Sequence, residues 1–326
     1  MRRLFWRKLR ELWPLIAMNK HLVIATRGSA LALWQANYIK DRIEEEFPAY
    51  TVSLNVIKTR GDAILNKPLS EVGGKGLFVK EIEEALLDGS ADLAVHSAKD
   101  IPMELPEGLI IGCVPKREDP SDCFLSVNWP TINALPQGAK IGTSSLRRQA
   151  QLLAMRPDFR IEPLRGNVDT RLNKLKAGLY DGVVLATAGL FRLGLSAPYM
   201  DRLEPEKFVP AVGQGTLGIE CREDNYDVLV LLSSLEDRKS RVCLSSERAF
   251  LKELNGSCQV PVAAYAKMIG EDGLSIQGLV GNLDGTEILK ASSLTDASFA
   301  EETGIDLAKA LKAKGADKIL RQLTAD

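Results

Sequence analysis

Histidine is scarce in this 326-residue chain, and its scarcity limits the chemistry that we expect. His21 and His96 are the only two histidines. A metal site with several histidine ligands is therefore not expected, and neither is a histidine-based catalytic triad. We expect acid–base steps to fall to aspartate, glutamate or lysine, and we expect no bound metal.

Cysteine usage and the lack of long apolar runs narrow the class of protein further. The five cysteines are an odd number and form no C-x-x-C pair, which argues against a disulfide framework and a structural zinc site. This usage fits a reducing compartment, so we predict a cytoplasmic protein. No run of 18 apolar residues is present, so no transmembrane helix is predicted. We also expect a monomer without a nucleic-acid partner.

Residues 1–17 alternate basic and apolar side chains, and the pattern allows two interpretations. The apolar side chains fall roughly on one helical face, which allows a helix lying on a membrane surface. The alternative, which we favour, is a disordered extension upstream of a start at Met18. A signal peptide is not indicated, because the apolar run is short, contains Pro14 and lacks an A-x-A cleavage site.

Six arginines and no lysine lie between Gly142 and Arg171, in a chain whose formal net charge is −1. Residues 139–142 have the pattern of a strand end, and Ser144 or Ser145 can cap the helix that follows. The free backbone N–H groups of such a helix N-terminus form a natural anion site. The segment therefore predicts a floor for a ligand with several negative charges, and a solvated basic face is the alternative.

Arg147 and Arg148 are the two arginines that the local sequence explains least well. They lie in the first helical turn, where a positive charge opposes the helix dipole. Because residues that break a local rule are candidates for function, we interpret both as ligand-binding rather than stabilising. The planar guanidinium group suits carboxylates and phosphates held by two hydrogen bonds.

A second strand–turn–helix segment lies near the start of the chain. Residues 22–26 are an apolar strand, Arg27-Gly28-Ser29 makes the turn, and a helix over 30–47 follows. It predicts another anion site at a helix N-terminus, with Arg27 at its mouth. The segment 73–76 is rich in glycine but lacks parts of the phosphate-binding motif, so we interpret it as a mobile loop that carries Lys75.

Lys99 and Asp100 follow the predicted strand 92–96. Ligands of open α/β sheets bind just beyond the carboxyl ends of strands, so this pair is placed for function. The alternative is a surface ion pair between adjacent opposite charges. Lys99 is also conceivable as a Schiff-base lysine, but nothing near it in the sequence indicates how its amine would be desolvated.

Strands and helices alternate in two stretches, which predicts two α/β units. The charged segment 115–120 has the composition of a crossing between them, and alternation resumes over 121–210, with Arg192 on the helix after residue 186. The segment 209–218, rich in glycine and proline, predicts a return crossing. A strand at 216–220 then rejoins the first sheet.

The remainder of the chain predicts a small α+β unit. A charged link at 235–239 precedes a helix at 241–254, three alternating strands and a helix at 299–314. We therefore predict the extension 1–17 and three domains, which comprise residues 18–115 with 215–235, residues 116–214, and residues 236–326.

Cys258 differs from the other four cysteines in its surroundings. Cys113, Cys123, Cys221 and Cys243 fit the pattern of small core residues. Cys258 lies instead in a Gly-Ser loop after a predicted helix. Thiol reactivity requires partial exposure, so Cys258 is the candidate for a reactive cysteine.

Eight motifs, in order, make nearly the whole chain from about Leu22 similar to the hydroxymethylbilane synthase family, also called porphobilinogen deaminase. They are ATRGS at 25–29 with LWQ at 33–35, KTRGD at 58–62, GGKGLF at 73–78, AVHSAKD at 94–100, GTSSLRR at 142–148, LRGN at 164–167, PAVGQG at 210–215 and GSCQVP at 256–261.

The resemblance implies a fold and a reaction. The fold would be two periplasmic-binding-protein-like α/β domains joined by a double crossing, plus a small α+β C-terminal domain. A dipyrromethane cofactor, built from two substrate units, would be held by a thioether to Cys258. Four porphobilinogen units would be joined head to tail with loss of ammonia, and hydrolysis would release the linear product of this step of haem-type tetrapyrrole biosynthesis.

The resemblance also implies a role for individual residues of both α/β units. Asp100 would be catalytic, because it would stabilise the cations that form on the pyrrole rings and relay protons at the pyrrole nitrogens. The cofactor-binding residues would be Cys258, Lys99, Ser145, Arg147, Arg148 and Arg171. The substrate-binding residues would be Arg27, Ser29, Lys75, Arg165 and Arg192. Glu71 stands where some relatives carry a basic residue, so the loop is expected to contact substrate through Lys75 alone.

Two other classes of protein compete with this interpretation. A two-lobed anion-binding protein would explain the arginines and the crossings, but not Cys258 or the third unit. A phosphate- or nucleotide-handling enzyme would normally have a complete phosphate loop and a pair of carboxylates for magnesium. A bound pyrrole, detected by its colour with acidic dimethylaminobenzaldehyde, would separate these classes.

Overall fold

The computed structural model describes residues 20–59, 79–255 and 260–324. Lys75, Cys258 and the extension 1–17 lie outside the described residues. Within them, the strands in chain order are β1 Lys20–Arg27, β2 Tyr50–Ile57, β3 Leu93–Ser97, β4 Leu109–Cys113, β5 Asp122–Ser126, β6 Lys140–Gly142, β7 Arg160–Glu162, β8 Gly182–Ala186, β9 Tyr199–Leu203, β10 Leu217–Arg222, β11 Val262–Ile269, β12 Gly273–Gly281 and β13 Ile288–Asp296.

The α-helices of the described residues lie between these strands or after them. They are α1 Ala30–Glu46, α2 Lys80–Leu87, α3 Leu146–Met155, α4 Val168–Lys176, α5 Thr187–Leu193, α6 Tyr226–Leu232, α7 Arg238–Glu253, α8 Ala300–Ala313 and α9 Ala316–Thr324. Among the described residues, no helix is long and apolar enough to cross a membrane.

The strands form two five-stranded sheets with the same plan. The first sheet has the order β2-β1-β3-β10-β4, and the second has the order β7-β6-β8-β5-β9. β1 runs parallel to β2 and β3, and β6 runs parallel to β7 and β8. The fourth strand in each order, β10 or β5, is antiparallel to both its neighbours. We call the two sheets with their helices lobe 1 and lobe 2.

The chain crosses between the lobes twice, over 114–121 and over 204–216, so β5 and β10 each enter a sheet directly after a crossing. The crossings touch each other, because the Glu118 N–H donates to the Gly215 carbonyl at 3.2 Å. Gly215 has φ +83°, and a Cβ there would lie 2.5 Å from the Glu118 carbonyl oxygen, so only glycine suits this contact.

The third unit is a β-meander, with the order β11-β12-β13, covered by α7 and α8. Its core contains Phe250, which is fully buried. Glu247 of α7, also fully buried, holds both crossings. It accepts hydrogen bonds from Arg117 Nη1 at 2.7 Å and from the Gly213 N–H at 2.6 Å. The third unit is therefore tied to the two segments that connect the lobes.

The fold class predicted from the sequence is confirmed: the structure contains two α/β units joined by a double crossing and a small α+β unit. The prediction of a link over 235–239 is wrong in its second half, because α7 begins at Arg238. Its N-cap, Asp237, accepts a hydrogen bond from the Ser240 N–H at 2.8 Å. The sequence analysis did not identify the strands β5 and β9 or the helices α6 and α9.

Candidate functional site

The carboxyl ends of the parallel strands carry most of the predicted site residues. Ser29 follows β1 and caps α1, accepting a hydrogen bond from the Ala32 N–H at 3.3 Å. Ser145 follows β6 and caps α3, accepting from the Arg148 N–H at 3.5 Å. Of the two serines that the sequence offered as the cap of α3, the structure therefore uses Ser145. Both helices begin within a few residues of these strand ends, and a helix N-terminus offers free backbone N–H groups to an anion.

A cavity at the end of lobe 1 brings together residues from β1, α1, β3 and α2. Asp100 lines it from a short 3₁₀ turn, Ala98–Asp100, that follows β3. Gln35 donates from Nε2 to Ser97 Oγ at 2.9 Å and so fixes one wall. The remaining lining includes Arg27, Ser29, His96, Val79 and Ile82. The cavity therefore places a carboxylate, a guanidinium group and an imidazole around one small space.

Lys99 and Asp100 face the basic residues of lobe 2. Burial lowers the pKa of Lys99; the Asp100 carboxylate acts in the opposite direction, and the Arg148 guanidinium lowers it again. Burial also lowers the pKa of Arg171, to about 10, where Arg148 adds to the effect and Asp100 opposes it. Asp100 of lobe 1 is thus within electrostatic reach of lobe 2 arginines.

Arg147 and Arg148 are buried and both pair with a residue that the sequence analysis missed, Asp122 of β5. Arg147 Nη1 lies 2.8 Å from Asp122 Oδ2, and Arg148 donates to Asp122 Oδ1 from Nε at 3.0 Å and from Nη2 at 2.7 Å. Asp122 is fully buried, and the two arginines are 4% and 6% exposed. Burial alone would raise the pKa of Asp122, but the two guanidinium groups hold it well below its usual range.

Backbone carbonyls complete this buried ion-pair network. Arg147 Nη1 donates to the Val209 carbonyl at 2.7 Å, and Arg148 Nη1 donates to the Val184 carbonyl at 2.9 Å. The expectation that these arginines do not stabilise the protein is therefore not supported, because removing either would leave a buried charge less compensated. One signal in the sequence pointed to Asp122, a carboxylate at the start of an apolar run that immediately follows a crossing.

The other arginines of the prediction border the same region. Arg171 donates from Nε to the Gly166 carbonyl at 2.7 Å. Arg165 is half-buried, and its charge contributes to the lowered pKa of Arg171. Arg192 of α5 donates to the Gly215 carbonyl at 2.9 Å and lies 5.8 Å from the Trp34 ring of α1. Arg192 therefore sits where lobe 2, lobe 1 and the second crossing meet.

These contacts define a class of site. The exposed carboxylate of Asp100 shares a cavity with Arg27 of lobe 1 and interacts electrostatically with Arg171 of lobe 2. The helix N-termini at Ser29 and Ser145 add backbone donors. Such a site suits a ligand that carries several carboxylates and that develops a positive charge at one atom during a reaction. The two-lobed fold and this site together indicate an enzyme acting on a polyanionic substrate.

Comparison with known proteins identifies the family. Residues 22–230 match the family model described as porphobilinogen deaminase, dipyromethane cofactor binding domain, and residues 241–313 match the model described as porphobilinogen deaminase, C-terminal domain. A protein of Nitratidesulfovibrio vulgaris strain DP4, named porphobilinogen deaminase, is 58% identical over 94% of this chain and 98% of its own length. One from Lawsonia intracellularis with the same name is 53% identical over 93% and 98%.

The chain therefore belongs to the porphobilinogen deaminase family, and the resemblance noted in the sequence is confirmed. The fold is also similar to the solved structure of a probable amino-acid ABC transporter extracellular-binding protein from Bacillus subtilis. The similar region covers 67% of this chain and 90% of the Bacillus subtilis chain. That similarity has a TM-score of 0.40 at 12% identity.

Proposed function

We propose that this chain is a hydroxymethylbilane synthase. It joins four porphobilinogen units head to tail, releases one ammonia for each unit, and sets free the linear tetrapyrrole by hydrolysis. The observation that carries the proposal is the placement of Asp100, which lies between the Arg27 side of lobe 1 and the Arg148–Arg171 side of lobe 2.

Asp100 is the proposed catalytic residue, because loss of ammonia leaves a cationic pyrrole-methylene unit. A carboxylate about 4 Å from a positive charge stabilises it by about 4 kcal/mol at an effective dielectric constant of ~20. That carboxylate also accepts the hydrogen of a pyrrole N–H. The acetate and propionate groups of the substrate would be bound by Arg27, Ser29, Lys75, Arg165 and Arg192.

The residues of the site fit a dipyrromethane cofactor attached to Cys258. Arg148 carries a like charge within electrostatic reach of both Lys99 and Arg171, and burial together with this charge lowers the pKa values of Lys99 and Arg171. A group with several carboxylates would compensate these charges. When bound, the cofactor supplies the pyrrole carbon to which the first substrate unit is joined. The residues that would hold it are Lys99, Ser145, Arg147, Arg148 and Arg171.

The other cysteines support the choice of Cys258. Cys113, Cys123, Cys221 and Cys243 are all buried. Burial raises the pKa of all four thiols, to about 12 in Cys123 and Cys243 and to about 11 in Cys221, so we expect none of them to form the thiolate needed for attachment near neutral pH. Cys258 is the remaining cysteine of the sequence.

Arg147 and Arg148 act differently in this proposal from the way the sequence suggested. Their hydrogen bonds are directed to Asp122 and to carbonyls, so they serve less as direct carboxylate clamps than as a fixed positive charge beneath the chain of pyrroles. The charge of Arg148 reaches both Lys99 and Arg171. We further propose the three domain boundaries given above, a monomer and a cytoplasmic location.

The mass of the denatured protein tests the attachment. We expect the purified chain to carry an adduct of two pyrrole units, and we expect Cys258→Ala to lack it. Cys243→Ala is the matched control and should retain the adduct. An adduct that survives in Cys258→Ala would overturn the assignment of the attachment residue, and the absence of any pyrrole together with no ammonia release from porphobilinogen would overturn the proposed function.

A further inference from the structure

His96 has surroundings that the site described above does not use. It lies on β3, four residues before Asp100, and lines the same cavity. Its side chain is 6% exposed, and its Nε2 lies 3.1 Å from Oε2 of Glu220 on the neighbouring strand β10. Within the described part of the chain, neither carboxylate oxygen of Glu220 nor His96 Nε2 has a hydrogen-bond partner of normal geometry, so the two groups compensate each other as a close ion pair when the ring is protonated.

A second carboxylate and one arginine complete the cluster. Glu83 of α2 is 7% exposed, and burial raises its pKa to about 7; the Glu220 charge adds to this rise and His96 opposes it. Arg248 of α7 interacts with Glu220 and donates to the Pro102 carbonyl at 2.6 Å. Two buried carboxylates therefore flank one imidazole, behind a cavity whose other charged lining is Arg27 and Asp100.

This arrangement resembles that of a catalytic histidine base supported by a neighbouring carboxylate. A carboxylate next to an imidazole orients the ring and stabilises the imidazolium that forms when the ring accepts a proton. Glu220 is in that position, and its burial keeps the interaction strong. Sequence reasoning set histidine aside because there are only two, but the number of histidines says nothing about where each one lies.

We propose that His96, supported by Glu220, transfers the α-carbon proton in the Asp100 cavity, while Asp100 acts at the pyrrole nitrogens. The inference rests on the proposed function. When a unit is added, a C–C bond forms between its methylene carbon and the free α-carbon of the preceding substrate unit, and its C–N bond breaks. The C–H bond at that α-carbon then breaks, and the proton passes through the His96 ring to the departing ammonia. Because porphobilinogen enters with its amine protonated, each addition releases one ammonium ion. Its ammonia comes from the broken C–N bond, and its fourth proton comes from the α-carbon.

The kinetic experiment uses the holoenzyme and porphobilinogen deuterated at its free α-carbon. In His96→Gln we expect the second and later additions to slow by about a hundredfold, the size typical of a lost general base, with KM little changed. The isotope effect on these additions should exceed that of the wild type, because proton removal becomes limiting. His21→Gln, which changes the other histidine, exposed on β1, is the matched control and should keep wild-type values.

A spectroscopic experiment tests the same residue without catalysis. With only two histidines, ¹⁵N-histidine spectra are assigned by His21→Gln alone. In Cys258→Ala, porphobilinogen should shift the His96 ring signals and leave those of His21 unchanged. Should His96→Gln fail to fold, Glu220→Gln replaces it and should show the raised isotope effect with a smaller loss of rate.

Three results would overturn the proposal. They are wild-type rates in His96→Gln, slowed additions without a raised isotope effect, and His96 signals that do not respond to substrate. A wild-type enzyme that releases no ammonia from porphobilinogen would instead contradict the proposed function, and the spectra of Cys258→Ala would still show whether the cavity binds that molecule next to His96.

Discussion

Each lobe carries a buried carboxylate on its inserted antiparallel strand, but the two carboxylates have different partners. In lobe 2, Asp122 on the inserted strand β5 pairs with two arginines, which remain charged at every accessible pH. In lobe 1, Glu220 on the inserted strand β10 pairs with His96 and lies near Glu83, whose pKa is raised by burial to about 7. One lobe therefore holds a fixed charge and the other a variable one.

This difference indicates that the two lobes, whose sheets have equivalent strand orders, have different roles. A fixed positive surface suits a lobe that holds a chain of carboxylates while the chain grows. A cluster that takes up and releases protons suits the lobe in which we propose that Asp100 carries the chemistry. The same strand insertion supplies both, because each crossing delivers a strand whose carboxylate is buried between parallel strands and helices.

Asp122→Asn is expected to have the largest effect on stability. Without the carboxylate, two buried guanidinium groups repel each other, and breaking a buried pair of this kind costs about 3–5 kcal/mol. Urea unfolding near neutral pH measures the loss. Asp272→Asn removes the partner of Arg238 from an exposed pair at 3.2 Å and should cost no more than about 1 kcal/mol. Equal losses in the two variants would show that the lobe 2 network does not hold the fold.

Glu83→Gln is expected to change how stability depends on pH. The pKa of Glu83 is raised from 4.5 to about 7, so the folded protein binds more protons than the unfolded chain between these values, and stability falls as pH rises through them. The amide removes this loss. Between pH 5 and pH 8, the free energy of unfolding of the variant should rise relative to that of the wild type by up to about 3 kcal/mol.

The matched control for this measurement is Glu84→Gln, at the exposed neighbouring position on α2, which pairs with Lys80 at 3.9 Å. Its stability relative to the wild type should change little over the same pH range. A Glu83→Gln variant that follows Glu84→Gln would mean that lobe 1 has no titrating carboxylate at this place.

Arg147→Leu is expected to have a smaller effect, because Arg148 remains beside Asp122. Loss of charged hydrogen bonds to Asp122 and to the Val209 carbonyl should cost about 2 kcal/mol. Urea unfolding measures the cost, and Arg238→Leu is the exposed control. If Arg147→Leu were as stable as the wild type, the interpretation drawn from its place in the first helical turn would be correct after all.

The sequence predicted the elements that have their own local signal. Ser145, one of the two serines predicted as the cap of α3, caps that helix, and α1 begins at Ala30 as predicted, because capping and helix starts depend on residues a few positions apart. Lys99 and Asp100 follow a strand of strong apolar pattern, so their place at the end of the sheet was also predictable. Motifs alone supplied the family, and most of the predicted site residues lie within them, whereas Arg171 and Arg192 lie outside.

Contacts between distant segments were beyond sequence reasoning. The partner of Arg147 and Arg148 lies 25 and 26 residues earlier, on a strand that joins its sheet only because the chain crosses over. His96 and Glu220 are 124 positions apart and meet only because β10 returns to pair with β3. Local sequence propensities do not indicate such long-range pairings. The partners of the buried charges in both lobes could therefore be identified only from the structure.

The most direct test of the account is ammonia release by Asp100→Asn in a single turnover of the holoenzyme. The account predicts that a preformed chain still binds through the basic residues while ammonia release falls by at least about a hundredfold, so that the loss lies in kcat rather than KM. Lys99→Ala, measured alongside, should lose mainly binding. Near-normal ammonia release from Asp100→Asn, or equal and modest losses in both variants, would contradict the claim that lobe 1 carries the chemistry through Asp100.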